Sequence, residues 1–334
     1  MDTETEIESD VGISVVIPVR NEASSIRALL SQLEEQTLSP KEIVIVDGGS
    51  EDETAEVIRA VATKSSIPIV LFEAGEAFPG RGRNLAIARA SNDWIATIDG
   101  GNVPDKDWLR RLVSAAKSHP QARIIYGKYL PVINSYFTYC AAITYVPPPK
   151  SFSPSTASSL MHRSAWTAAN GFREDLRSGE DLLLFKRITA LNIPQAQTDK
   201  AIVYWTLQPS WGGTFRRFAI YSRYGMKAGL AREWQFRVAF LYLILVALVV
   251  AAGVWRPLII LPFLFLIVRT QRRILRWHEG EGDRWRKILN PRLVLTVLAI
   301  NFMIDIAMFW GILKWIARDV LSTGHQLRRS PSNN

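Results

Sequence analysis

The chain has one cysteine in 334 residues, Cys140, so an intrachain disulfide is excluded, and no Cys/His pairing has zinc-ligand spacing. Oxidative folding and structural zinc lose their basis, and the folded part is expected in a reducing, cytosolic setting. A base and an apolar stretch are missing where a targeting peptide would need them: the first ten residues, MDTETEIESD, hold five acids and no base. Residues 1–11 are expected to be a disordered acidic N-terminus. Acids become scarce later on. Of 31 Asp/Glu, 25 lie in residues 1–200 and 6 in 201–334, whereas the 40 Lys/Arg divide 21 and 19. The formal charge of +9 is therefore −4 on the first part and +13 on the second. A nucleic-acid module would carry its excess on a folded face interleaved with aromatics. Here the excess sits between apolar runs, which points to membrane lipids as a partner and excludes nucleic acid.

What is present, from Ile13 on, is an alternation of short β-branched runs with helical patterns, the grammar of a mostly parallel sheet with helices on both faces. Strands are predicted at 13–18, 42–47, 67–72, 94–99, near 123–127, at 159–161 and at 202–205. Helices are predicted at 21–36, from about 52, at 80–90, 105–118, 163–169 and 179–191. Residues 128–157, rich in Tyr, Pro and Ser, read as a long loop. Ligands of open α/β sheets bind beyond the carboxyl ends of the strands. The segments 18–22, 47–52 and 99–102 should thus converge on one cleft.

The second part changes character. Residues 212–236 mix Arg, Lys and aromatics at helical spacing, as an amphipathic interface helix does. The run 238–254 is free of charge, and 257–268 follows Arg256. Together they predict a transmembrane hairpin over 237–270, turning near Gly253–Pro257, with a basic cytoplasmic loop at 271–292. A third membrane segment is expected at 293–317, before a tail at 318–334. The positive-inside rule places the catalytic part on the cytoplasmic face of a multi-pass inner-membrane protein. Asp305 inside the third segment calls for a partner, with Lys314 and Arg292 as candidates.

Five clusters could carry chemistry. Pro18-Val19-Arg20-Asn21-Glu22 follows the first strand, its plain reading being a helix start capped by Asn21 with Glu22 in the first turn. Asp47-Gly48-Gly49-Ser50-Glu51-Asp52 offers carboxylates beside glycines that permit close ligand approach, or simply a turn capped by Ser50 or Asp52. Pro79-Gly80-Arg81-Gly82-Arg83-Asn84 sets arginines at a helix N-terminus, a plausible diphosphate site or a solvated pair. Asp99-Gly100-Gly101-Asn102 delivers an acid into the cleft, and Gly179-Glu180-Asp181 opens a helix with paired acids. Such acids are either dipole partners or a general base.

In this order the clusters resemble family 2 glycosyltransferases of the GT-A fold, over roughly residues 12–235. The matching motifs are IPVRNE (17–22), IVDGGSEDET (45–54), GRGRNLAIARA (80–90), IDGGNVPDKDWL (98–109) and SGEDLLL (178–184). The stretches 154–172 and 208–225 are similar to a membrane-associated bacterial branch with C-terminal membrane helices. The resemblance implies a GT-A nucleotide-diphospho-sugar transferase domain over 12–211. Pro18, Asn21, Glu22, Asp47 and Asp52 would surround the donor's base and ribose, Arg81, Arg83 or Asn84 would approach its diphosphate, and Asn102 would stand at the metal motif that Asp99 opens. Asp99 would bind a divalent cation, Mg²⁺ or Mn²⁺. Asp181, with Glu180 beside it, would be the base for inverting transfer of a sugar to a hydroxyl of a lipid-linked or membrane-proximal acceptor in surface polysaccharide or glycolipid synthesis.

One departure bears on the cation. The family's Asp-x-Asp motif has its second acid replaced by Gly101. Either Asp99 binds the metal with water, substrate phosphates and Asn102, or Arg81 and Arg83 partly substitute for it, or the chain is a nucleotide-sugar-binding scaffold without turnover. A nucleotidyltransferase would share the sheet. The Gln-x-x-Arg-Trp motif of processive synthases is absent, Gln208 and Trp211 having the wrong spacing, which favours single transfer. The sugar, the nucleotide and the oligomeric state carry no signal in the sequence.

Overall fold

The structure, a computed structural model, describes residues 12–321 other than Trp234. The acidic N-terminus and most of the tail lie outside the described residues. Two units are distinguished, one of residues up to Val132 with Phe152–Thr206, the other of Ile133–Ser151 with the chain from Leu207. The segment 133–151 thus goes with the C-terminal helices, a division that a single boundary at 211 does not anticipate.

In the first unit, Ile13–Val19 (β1) is buried along its length. Parallel neighbours flank it: Glu42–Asp47 (β2) pairs Val44 with Val16, and Trp94–Thr97 (β4) pairs Ala96 with Val15. Ile69–Glu73 (β3) continues the parallel set beyond β2. Ser159–His162 (β7) runs antiparallel to β4 and to Ile124–Val132 (β6), while Gln195–Thr206 (β8) is parallel to β6 and antiparallel to Asn102–Pro104 (β5). The order is β3-β2-β1-β4-β7-β6-β8-β5. Side chains alternate across a strand, so Val15, Ile17 and Val19 face one core and Val16 the other. The first core is closed by Ile26–Glu34 (α1), Thr54–Ala62 (α2) and Trp108–Ser118 (α4) through Leu29, Leu33, Ile58 and Trp108. The second is closed by Pro79–Arg89 (α3), Arg163–Ala168 (α6) and Glu180–Ala190 (α7) through Ile87, Ala165 and Leu184. This is the expected mixed α/β sheet with helices on both faces.

Several boundaries differ from expectation, for local reasons. The first helix starts at Ile26 and not at Asn21, because Asn21 takes φ 57° and its neighbours form a loop. The segment 128–157 is not one loop: β6 runs to Val132, and a helix, Tyr136–Tyr145 (α5), begins at a capping box in which Ser135 Oγ accepts from the Thr138 N–H. The expected strand at 202–205 is the end of the longer β8, and β5 was not anticipated. His162 caps α6, its Nδ1 accepting from the Ser164 N–H at 3.2 Å.

In the second unit, Trp211–Lys227 (α8) ends short of 236, with Phe218 and Ser222 buried and Trp211 and Tyr221 exposed. The predicted hairpin is two helices, Gln235–Ala251 (α9) and Ile260–Trp277 (α10), broken around Gly253–Pro257 as expected. Helix α10 runs through Arg269, Arg272, Arg273 and Arg276, so the first part of the expected basic loop is helical. The short Arg284–Lys287 (α11) leads to Pro291–Trp315 (α12), which continues as one π turn to Val320. Among the described residues, Pro291–Val320 alone is long and apolar enough to cross a membrane, with mean hydropathy 2.1. The 17 residues of α9 reach about 26 Å, short of a roughly 30 Å hydrocarbon core. Asp305 pairs with Arg269 at 2.8 Å, not with Lys314 or Arg292, and accepts from the Tyr242 hydroxyl at 3.0 Å. Close crossing of α12 on α8 depends on Gly311, where a Cβ would stand 2.4 Å from the Ala219 carbonyl oxygen.

Candidate active site

The loops after β1 and β2 are stitched together by the side chains expected to meet a nucleoside. Asn21 Oδ1 accepts from the Glu51 N–H at 2.8 Å, and the Asn21 N–H donates to Ser50 Oγ at 2.8 Å. Asp47, buried at the end of β2, accepts from the Ser50 N–H and hydroxyl at 3.0 and 2.6 Å. Asp52 accepts from the Ala23 N–H at 3.2 Å and from Thr54, whose own Oγ1 accepts from the Glu22 N–H. The Thr54 hydroxyl, followed by the backbone donors, holds the Asp52 carboxyl below its ordinary value. Asn21, Asp47 and Asp52 therefore build the rim of the cleft. Ser50, read from the sequence only as a turn cap, and Thr54, which was missed, complete the stitching; the signal of Thr54 was only a hydroxyl two residues after an Asp.

Pro18 is packing. A Cβ at Gly82 would lie 3.0 Å from Pro18 Cβ, and one at Gly80 would lie 2.2 Å from the Arg173 carbonyl oxygen. These glycines let the first turn of α3 press between the end of β1 and the 170–174 loop, which turns position 83 inward. Arg83 is buried, and its guanidinium donates to two acids: Nη2 to Asp99 Oδ1 at 2.6 Å and Nη1 to Glu180 Oε1 at 2.7 Å. Arg81 is exposed, reaching only the Glu76 carbonyl at 3.3 Å. Asn84 points to the 170–174 loop: its Nδ2 donates to Phe172 O and Glu174, and its Oδ1 accepts from the Phe172 N–H and Trp166 Nε1, all within 3.0 Å. It secures that loop, and of the three residues expected along a diphosphate only Arg81 keeps an exposed side chain.

Across the cleft, Asp99 follows β4 and keeps 43% of its side chain exposed. The missing acid at 101 has a structural counterpart. A Cβ at Gly101 would stand 3.4 Å from Glu22 Oε2, and one at Gly100 would stand 3.2 Å from Glu22 Cγ. The glycine pair thus leaves room for a carboxylate supplied by the loop after β1. Burial lifts the Glu22 carboxyl above its ordinary range against the Ser25 hydroxyl that lowers it, and Asp99 and Asp52 lift it further. Asn102 is buried with its N–H on the Asp99 carbonyl oxygen at 3.1 Å.

Gly179, at φ 83°, makes the turn that starts α7, a backbone state that a Cβ disfavours. Glu180 then points inward to Arg83. Asp181 accepts from the Leu182 N–H at 2.8 Å. Burial, then the neighbouring Glu180, push its carboxyl up to about 7 against Arg83 and the Leu182 N–H, which pull it down. A carboxylate tuned toward neutrality is what general-base work requires.

The site accordingly sets Glu22, Asp99, Glu180 and Asp181 against one buried cation, Arg83. A diphosphate would meet net negative charge there, which a divalent cation offsets. Among the described residues no group of three or more His, Cys, Asp or Glu is placed to hold a metal. Mg²⁺ and Mn²⁺, however, settle for one or two carboxylates and take their remaining ligands from phosphate and water. Asp99, partly exposed, and Glu22, whose carboxylate lies beside Gly101, are the acids that would supply them.

Residues 14–153 match the model of the family Glycosyl transferase family 2. Among curated proteins the chain is similar to the glycosyltransferase AglE of Haloferax volcanii, 36% identical over 104 residues, which is 30% of this chain and 34% of the relative. It is likewise similar to the succinoglycan biosynthesis protein ExoA of Rhizobium meliloti, 41% identical over 108 residues, 30% of this chain and 32% of the relative. The chain thus spans about a third of the length of these relatives. In fold it is similar to a mannosyltransferase of Pyrobaculum calidifontis, solved with GDP-Man and Mn²⁺, at TM-score 0.58 and 16% identity over 94% of this chain and 89% of that one.

Proposed function

We propose that the chain is an inverting glycosyltransferase that moves a sugar from a nucleoside-diphosphate donor to a hydroxyl of a lipid-linked acceptor. The observation that carries this reading is the link Asp99–Arg83–Glu180, which brings the end of β4 and the start of α7 together and so supports Asp181 as the base. Asp181 takes the proton of the acceptor hydroxyl. The oxygen attacks the anomeric carbon from the face opposite the leaving group, the new C–O bond forms as the C–O bond to phosphate breaks, and the nucleoside diphosphate departs with the bonding pair. Asp99 and Glu22 would hold a divalent cation, which supplies neutralising charge to the diphosphate.

The names of the similar proteins support a place in polysaccharide or glycoconjugate synthesis. Membrane attachment is supported by the length and hydropathy of α12 and by the exposed apolar side chains of α9 and α10, such as Phe240, Leu243, Phe263 and Leu264. With the basic half of α10 on the cytoplasmic side, α9 and α10 enter the bilayer as a hairpin and the chain is a multi-pass inner-membrane protein. Purified protein is to be given a panel of nucleotide sugars with Mg²⁺ or Mn²⁺. Release of nucleoside diphosphate that vanishes in Asp181→Asn is expected. Binding of donors without turnover on any acceptor or water would instead mean a scaffold, and release of pyrophosphate from a nucleoside triphosphate would mean a nucleotidyltransferase.

A further inference from the structure

Arg83 lies at a helix start beside glycines, the setting in which an arginine would grip a diphosphate, yet its surroundings leave no room for that task. Its side chain is 4% exposed, and both terminal nitrogens are committed, to Asp99 at 2.6 Å and to Glu180 at 2.7 Å. Phe172 covers it, with the ring centroid 5.6 Å from the guanidinium carbon. The helix carrying it is wedged in place: the Cβ that Gly80 lacks would stand 2.2 Å from the Arg173 carbonyl oxygen and 3.3 Å from Glu180 Cγ. Arg83 and Glu180 are thus neighbours in a dry wall beneath the cleft. Glu180 in turn is the residue before Asp181, in the turn that Gly179 opens.

We propose that Arg83 is a positioning residue for the base: by holding Glu180 against Asp99 it fixes the first turn of α7, and with it Asp181, relative to the end of β4. A planar guanidinium can serve two carboxylates at once, whereas an ammonium is a single point charge and cannot keep this fork. The donor's diphosphate is left to exposed groups. Misplacement of a reacting group by about 1 Å costs on the order of 10²-fold in rate without any loss of ground-state binding. The inference rests on the transfer reading proposed above.

The test uses the full chain with Arg83→Met, Arg83→Lys, Glu180→Gln and the double variant Arg83→Met/Glu180→Gln. Turnover is followed by nucleoside-diphosphate release, and donor affinity by calorimetric titration of the nucleoside diphosphate with Mn²⁺. Arg83→Met and Glu180→Gln are each expected to lower kcat by on the order of 10²-fold while donor KM and nucleotide Kd stay within about threefold. The double variant is expected to be no worse than the poorer single one, since residues that act as a unit are not additive. Arg83→Lys, which keeps the charge and so protects the fold, is expected to recover only a small part of kcat. An Arg83→Lys or Arg83→Met variant whose donor KM and Kd rise about tenfold while kcat holds would overturn the proposal and make Arg83 a diphosphate ligand; multiplicative losses at 83 and 180 would overturn it as well. A wild-type chain that transfers from no donor defeats the transfer reading itself, a result distinct from either.

Discussion

Acidification is the sharpest probe of Asp181. Its carboxyl stands at about 7, raised by burial and by Glu180 from an ordinary value of 3.8. A general base works only when ionised, so the rate at saturating substrate follows the carboxylate fraction. That fraction is about one half at pH 7, roughly a tenth at pH 6 and roughly a hundredth at pH 5. An aspartate at its ordinary value would be ionised throughout this window and give a flat profile. The measurement is initial nucleoside-diphosphate release from pH 5 to 8.5 under saturating donor, acceptor and Mn²⁺, with circular dichroism at each pH to show that the fold persists. Asp181→Asn should lose about 10²–10⁴ in kcat and, with it, the acid limb. Arg83 pulls the Asp181 carboxyl down, so Arg83→Met should move whatever limb remains to higher pH. The stability sign is the reverse of the usual aspartate. A carboxyl raised on folding binds more protons folded than unfolded between pH 4 and 7, so its contribution weakens as pH rises through that window, and Asp181→Asn should remove this slope. A wild-type rate that is level between pH 5 and 7, or an Asp181→Asn variant that keeps a tenth of the activity, would refute the assignment of the base.

Arg269→Met should leave Asp305, 3% exposed, with only the Tyr242 hydroxyl, at a cost of about 3–5 kcal/mol; thermal unfolding in detergent checks this, and Asp305→Asn in the same chain should return much of it. Asn84→Ala removes three hydrogen bonds to the 170–174 loop and one from Trp166 and should cost about 1–3 kcal/mol, read as a lower denaturation midpoint with faster proteolysis within 170–174. Glu22→Gln and Asp99→Asn should each weaken Mn²⁺ binding in the presence of nucleoside diphosphate by roughly tenfold or more, measured by paramagnetic titration; unchanged affinity in Glu22→Gln would remove that residue from the cation site.

The strands and the second-face helices were legible because their signal is local. EIVIVD at 42–47 and the β-branched run at 13–18 bury both faces, and the loops at the strand ends marked by Asp-Gly do lie together with the loop after the first strand. What escaped depended on partners distant in sequence. Asn21 reads equally well as a helix cap or as a loop residue until its φ of 57° and its bond to Glu51 are known. The helix at Tyr136–Tyr145 was hidden by its aromatic and hydroxyl composition, although Ser135 and Thr138 form a capping box that three residues of spacing could have signalled. Gly101 looked like the loss of a ligand because the sequence cannot show that the carboxylate of Glu22, from another loop, lies 3.4 Å from where a side chain at 101 would begin.

Charge is where composition and structure diverge most, and the divergence bears on mechanism. Arg83 and Arg269 count toward the formal +9 as if they were free to attract anions. Both are instead consumed by acids, one between the half-exposed Asp99 and the buried Glu180, the other on the buried Asp305. The first unit, already acidic by composition, therefore presents a cleft whose fixed cation is neutralised before a donor arrives. A diphosphate can settle against Asp99 and Glu22 only if it brings positive charge with it, so donor affinity should depend on the divalent cation more steeply than on any single arginine. Raising monovalent salt tests this, since a screened surface attraction would fade over a Debye length of about 8 Å at 0.15 M, whereas cation-bridged binding within the cleft would persist. Donor binding that is strong without Mg²⁺ or Mn²⁺ and collapses in 0.5 M NaCl would place the diphosphate on exposed arginines such as Arg81, not between the two carboxylates.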